Sequence, residues 1–301
     1  MKQFEQLRVG HVHVQRLHAP RGEPATQTQT PLPQRVQPPT APAAAVQPNL
    51  DPVLICLLGS FQVLSHGEQL LVRGSKVEAI LRLLALRHSE GVARDEILAQ
   101  LWPDRDHALA VQSLNSLVYG VQRLLREPLQ GAPAIVHEDG TYRLNHDAGI
   151  DVDVLHFDAL VSTGRRLMRA NDPVGAHLAF SSAAGLYRGD LRVGSGVAEI
   201  IERERLRASY LTALAHLADY SFARDEYADT LEYAERILAA DPCREDAHRL
   251  VMRCRVRRGE RAQALRQFRL CEDVLRAEFD ALPEPATCAI YYQVRLNPAG
   301  V

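Results

Sequence analysis

The tightest constraint on the fold of this chain is a junction between two hydrophobic periods. Residues 110–126 read AVQSLNSLVYGVQRLLR, where apolar residues return every three or four positions, as the 3.6-residue turn of a helix requires. Shortly afterwards AIVHEDGTYRLN places Asp139-Gly140 between two β-prone runs. That dipeptide accepts the left-handed backbone of a tight hairpin turn. A helix that is apolar on one side only, followed at once by a two-stranded hairpin, needs further elements on which to bury that side.

The preceding residues supply them. VLICLLGSFQVLSHGEQLLV, from Val53 to Val72, holds β-rich runs flanking Gly59-Ser60 and Ser65-His66-Gly67, the chemistry of turns between short antiparallel strands. From Ser75 the period becomes helical, with Val77, Ile80, Leu81, Leu83, Leu84 and Leu86 on one side. VARDEILAQLWPD then predicts a short helix on Ile97, Leu98, Leu101 and Trp102 that Pro103 stops. Strands, three helices and a hairpin, in that order, are the layout of a winged helix-turn-helix over 53–150, with the third helix at 108–126 and the wing at 135–144.

After IDVDVLHFDAL the chain reads as helix almost throughout. DEYADTLEYAERILAADP, from Asp225 to Pro242, lays over GERAQALRQFRLCEDVL, from Gly259, at a spacing of 34 residues, so that Ala228 meets Ala262 and Leu231 meets Leu265. Tyr227, Leu231, Tyr233 and Asp241-Pro242 fall where a tetratricopeptide repeat keeps its packing residues. An earlier copy, NDPVGAHLAFSSAAGLYRGD, is offset by 54, which makes LRVGSGVAEIIERERL an insertion between units. The expected fold is therefore mainly α with a small β component, a winged helix followed over 151–296 by an all-α tetratricopeptide-like array. Residues 20–48 hold eight of the seventeen prolines, so 1–52 read as an extended Pro/Gln-rich tail and linker, and 297–301 as a short tail.

Charge does not announce a partner. Net charge is −2, and residues 51–150 carry nine Lys/Arg against twelve Asp/Glu. Non-specific DNA affinity comes mostly from neutralised phosphates, so a slightly acidic winged helix must bind through few, well-placed cations. The five cysteines are scattered and never spaced C-x-x-C, which fits free thiols in a reducing cytoplasm. No apolar run reaches membrane-spanning length, and His11, His13 and His18 have no cysteine or carboxylate beside them to complete a metal site. The chain is expected to be cytoplasmic, with no cofactor, metal or membrane contact.

In order and spacing, LLGSFQV, RGSK, LWPD, EDGTYRLN, DVDVLHFDAL, LYRGDL, ERERLRASYLTALAHLA, ILAADPCREDAHRLVMRC and GERAQALRQFRLCEDVL resemble the bacterial regulators typified by antibiotic regulatory proteins. These join a winged helix to a bacterial transcriptional activation domain, and the likeness covers about 53–296. The resemblance implies a winged helix that reads promoter DNA, followed by a tetratricopeptide-like domain that supports homodimer contacts, RNA polymerase contacts and activation. Some relatives add a nucleotide-binding module, but no G-x-x-x-x-G-K-[ST] occurs here, and RGDLRVGSG lacks the lysine of a phosphate cradle.

At 100° per residue, Leu114, Leu117, Val118, Val121, Leu124 and Leu125 share one side of the third helix. Gln112, Ser116, Tyr119 and Arg123 share the other, with Asn115, Gln122 and Arg126 at its edges. Amide side chains can pair with adenine and arginine with guanine in the major groove, so this face is the expected recognition surface. Tyr142 and Arg143 of the wing are expected near phosphate or the minor groove, where Glu138 and Asp139 would repel it. Arg73 and Lys76 are expected to grip phosphate, Ser75 either to do so or to cap its helix, and Arg94 to be a weaker backbone contact. On periodicity alone a solvated amphipathic helix is the stronger reading, and it is the surrounding layout and the resemblance that turn this face into a recognition surface. An adaptor whose winged helix no longer binds DNA is the alternative reading. Nucleophile-elbow and zincin motifs are absent and IERERL reads as a solvated face of local ion pairs, so no enzymatic activity is expected.

Overall fold

The structure is a computed structural model that describes residues 52–192 and 196–300. Apart from Pro52, the tail at 1–52 lies outside the described residues, as does Val301.

The first strands are β1 (Val53–Cys56), β2 (Gln62–Ser65) and β3 (Glu68–Leu70). The turn between β2 and β3 has positive φ at both His66 and Gly67, the mirror-image geometry whose twist suits a hairpin. Three helices follow: α1 (Ser75–Leu86), α2 (Arg94–Leu101) and α3 (His107–Leu125), with the two-residue strand β4 (Val92–Ala93) before α2. The wing is β5 (Ile135–Glu138) and β6 (Thr141–Leu144), joined by Asp139 and Gly140, again both at positive φ. β4 pairs with β6, so the sheet order is β4-β6-β5.

Strand β7 (Ile150–Val152) returns to lie parallel to β1, closing a sheet of order β3-β2-β1-β7. It leads without a linker into helix α4 (Asp153–Arg169). Asp153 at the first position of α4 is 0% exposed, and its carboxylate accepts the backbone amides of Leu57 (2.8 Å) and Leu58 (3.0 Å) just past β1. The Arg188 guanidinium lies 3.8 Å from the same carboxylate, and Leu58 and Gly59 form bridges with Leu191. Gly59 has φ +102°, and a Cβ there would sit 3.2–3.3 Å from Arg188 atoms. The segments LLGS, DVDV and YRGDL thus form one joint. The hydrophobic core runs through it without a break, from Val53 of the sheet to Ala247 in the helical array.

The array continues with α5 (Pro173–Leu186), α6 (Val197–Ala223), α7 (Tyr227–Ala240), α8 (Glu245–Arg257) and α9 (Arg261–Phe279), each packed on the one before, and α10 (Pro285–Leu296) covers α8 and α9. The repeat is legible in burial. Ala176, Thr230 and Ala264 occupy one equivalent buried position of α5, α7 and α9; Phe180, Ala234 and Phe268 a second; Ala183, Ile237 and Cys271 a third. Ala228 and Ala262, although they align, are exposed. Part of the expected insertion, VAEIIERERL, forms the first turns of the 27-residue α6.

His248 on α8 is 1% exposed, with Nε2 2.8 Å from the Pro242 carbonyl and Nδ1 2.7 Å from the Gln267 amide. A neutral ring carrying its proton on Nε2 donates to the carbonyl and accepts from the amide. Burial pushes its pKa below the ordinary value of 6.5, and burial moves His177 in the same direction. At these two rings the folded chain therefore binds fewer protons than the unfolded chain. The stability due to the neutral ring is complete above the unfolded value and is lost as pH falls below it. The urea midpoint is expected to drop between about pH 7.5 and about pH 5.5, and to drop less in His248→Gln. An equal drop in the variant would show that other groups carry the effect.

Candidate nucleic-acid interface

Helix α3 begins one residue earlier than the sequence reading, because the Asp106 carboxylate caps it by accepting the amides of Ala108 (3.0 Å) and Leu109 (3.3 Å). Ala110, Leu114, Val121 and Leu125 are buried, which fixes the opposite side toward solvent. Gln112, Asn115, Ser116, Tyr119, Arg123 and Arg126 are all exposed, with Tyr119 at 68%. Among the described residues the side-chain amides of Gln112 and Asn115 have no hydrogen-bond partner, and Arg123 and Arg126 form no ion pair. Tyr119, Arg123 and Arg126 line a cleft of about 290 Å³ with Gly131, Ala132 and Pro133 beyond the helix end.

Other polar groups are already committed. Ser116 donates to the Gln112 carbonyl (3.1 Å). The Gln122 amide, predicted at the edge of the face, donates to the Ile135 carbonyl (2.8 Å) and accepts from the Ala134 amide (2.5 Å). Gln122 is a bracket that holds the wing to α3 and fixes how far the wing stands from the exposed face.

Three expected contacts are placed differently. Tyr142 is 4% exposed and stacks on His137 with ring centroids 4.2 Å apart, so it belongs to the core rather than to a DNA-facing surface. The alternation of a strand explains this: Tyr142 is two residues from Leu144 and shares its inward face. The Lys76 ammonium donates to the Leu101 carbonyl at the C-terminus of α2 and lies 5.4 Å from the Trp102 ring centroid. The negative end of a helix attracts such a cation, so Lys76 ties α1 to α2. Ser75 is the first residue of α1 and caps nothing; Gly74, at φ 99°, occupies the cap.

The wing has one arginine against two acids, and that arginine is already paired. Arg143 pairs with Glu138 at 2.6 Å, and Arg94 lies 3.5 Å from the His137 ring nitrogen. Arg73 is exposed in the loop before α1. Sequence reasoning missed Arg105, whose guanidinium donates to Ser113 Oγ (2.7 Å) beside the first turn of α3, and Leu109, which is 54% exposed on the same turn. The capping aspartate at 106, which puts both beside the face, was the available signal.

A three-helix unit with a β-hairpin wing, sharing one core with a helical repeat array, defines a winged-helix fold with an appended repeat domain. Residues 152–295 match the family model of the bacterial transcriptional activator domain. The transcriptional regulator RedD of Streptomyces coelicolor is 26% identical over 222 residues, covering 70% of this chain and 61% of that protein. The solved structure of Mycobacterium tuberculosis EmbR in complex with a low-affinity phosphopeptide superposes with a TM-score of 0.64 at 18% identity, covering 81% of this chain and 65% of that one. At that identity the likeness shows the fold alone, and this chain spans less than two thirds of the length of either relative. The second half of the chain is thus similar to the bacterial transcriptional activator domain, and the chain as a whole is similar to a transcriptional regulator that RedD typifies. Among the described residues no helix is long and apolar enough to cross a membrane, and no cluster of side chains could hold a metal ion.

Proposed function

We propose that this chain is a sequence-specific, DNA-binding transcriptional regulator of the cytoplasm, an activator that works as a homodimer and whose helical array contacts RNA polymerase. One observation carries the reading: α3 presents unpartnered amides and unpaired arginines on a face that its own core packing turns to solvent, beside a wing held in place by Gln122. That is what a helix needs to lie in a major groove and donate to base edges. RedD carries the name of a transcriptional regulator, which supports the same function.

Among the described residues of the winged helix few cations are free to meet phosphate, chiefly Arg73, Arg105, Arg123 and Arg126. The logarithm of affinity is therefore expected to fall with the logarithm of salt at a slope of only about −2 to −4 per binding unit. Useful affinity then calls for two units on two half-sites, which is why a dimer is part of the proposal. The test is an electrophoretic shift on duplex DNA from upstream of the chain's own gene and on duplexes selected from a random pool. Wild type is expected to shift the DNA, and Arg123→Ala to lose the shift while keeping its circular dichroism spectrum. Unchanged binding by Arg123→Ala would remove α3 as the reading element. The Arg143–Glu138 pair, which cancels the wing's cation, favours a second reading as a protein adaptor. No shift with any duplex would establish that reading instead.

A further inference from the structure

Leu109 breaks the chemistry of the face on which it lies. It is 54% exposed on the first turn of α3. On a helix of 3.6 residues per turn it falls about 20° from Ser116, about 40° from Ser113 and about 60° from both Gln112 and Leu124, so it stands at the edge of the polar strip beside the two serines. The two hydroxyls around it have little left to offer a base. Ser113 donates to the Leu109 carbonyl (2.7 Å) and accepts from Arg105, and Ser116 donates to the Gln112 carbonyl. Discrimination at this end of the helix is left to the Gln112 amide and to an isobutyl group.

In the major groove one base-pair feature rewards an apolar side chain, the C5 methyl of thymine, while an amide suits the adjacent donor and acceptor of adenine. We infer that Leu109 is a specificity-determining residue that packs against a thymine methyl, next to an adenine read by Gln112, so the site contains adjacent A·T pairs under the first turn of α3. The two residues are three positions apart, about 4.5 Å along the helix axis, which matches a step of about one base pair at 3.4 Å. Asp106 fixes the turn that presents Leu109 by capping it, and Arg105, held by Ser113, flanks it on the phosphate side.

The inference rests on the DNA-binding reading above, and its test separates the two. A duplex is first selected from a random pool with the full-length chain. Each thymidine is then replaced singly by deoxyuridine, which removes only the methyl group. At one position the replacement is expected to weaken wild type about fourfold, the worth of one buried methylene-sized group, and to leave Leu109→Ala unaffected. Leu109→Ala on the thymidine duplex should bind as wild type does on the deoxyuridine duplex. If wild type binds but no thymidine shows this dependence, or if the penalty persists in Leu109→Ala, the inference falls while DNA binding stands. If no duplex is selected, both fall. Leu109 is exposed, so its truncation leaves the fold intact, and circular dichroism checks this.

Discussion

Replacing Asp153 with alanine is expected to lower the unfolding free energy by about 2–5 kcal/mol, more than any surface change in the chain. The carboxylate is fully buried and accepts two amides, those of Leu57 and Leu58. Alanine leaves both N–H groups without an acceptor in a place water does not reach, at a cost of about 1–3 kcal/mol for each group. It also strips Arg188 of the carboxylate 3.8 Å away. Asparagine is the informative companion, because it keeps the volume and one acceptor oxygen but points an NH2 group at the other amide. Its loss should be comparable and not negligible. Urea unfolding followed by circular dichroism reads the stability, and hydrogen exchange reads the location: the Leu57 and Leu58 amides should lose protection ahead of the rest of β1. A loss below about 0.5 kcal/mol, the range of an ordinary surface substitution, would show that the joint is held by the apolar core alone. The joint has a functional consequence as well. Because the sheet and the array share one core, α3 and the array keep a fixed geometry, which under the proposed function would couple DNA binding to recruitment.

What the sequence disclosed follows from which signals are local. Hairpin turns were legible because His66-Gly67 and Asp139-Gly140 each carry their own backbone preference, and the helices because their apolar stripes are periodic. The repeat was legible at its spacing and in Leu231, which is buried, with Tyr227 and Tyr233 packed against the core, but not in all of its packing residues. Ala228 and Ala262 match in sequence yet face solvent, while Thr230 and Cys271 sit at buried positions that no hydrophobicity pattern marks. The exposed face of α3 emerged from its wheel, since one buried stripe fixes the opposite side. What composition could not disclose is how each charge is spent. Lys76 caps α2, Arg143 is neutralised by Glu138, and the Gln122 amide is bound at both ends. Each assignment depends on a partner 5–25 residues away, brought close only by the fold. Asp153 is the extreme case. In DVDVLHFDAL it reads as one more helix-start acid, and its partners lie 95 and 96 residues earlier.

The second large effect separates residues that specify from residues that merely hold. Gln112 stands at the centre of the exposed face with a free amide, so it can form a two-point contact with one adenine. Gln112→Ala is expected to lose about 1–3 kcal/mol on the preferred duplex, roughly 5- to 150-fold in affinity, and to lose much less on a duplex already changed at that base pair. Arg126 lies past the last turn of α3, on the cleft with Gly131 and Pro133, too far along the helix for its base-reading end. A cation there can neutralise a phosphate but cannot read a base. Arg126→Ala should therefore weaken all duplexes by a similar factor and make the salt slope shallower by about 0.9, the contribution of one phosphate contact. Arg123, between them on the same face, should show both behaviours, because its guanidinium can reach a guanine edge or a phosphate oxygen. The opposite pattern, with Gln112→Ala weakening every sequence alike and Arg126→Ala changing preference at one position, would mean that α3 enters the groove by its C-terminal end. The reading assigned to Leu109 would then fall, because the first turn would stand clear of the bases.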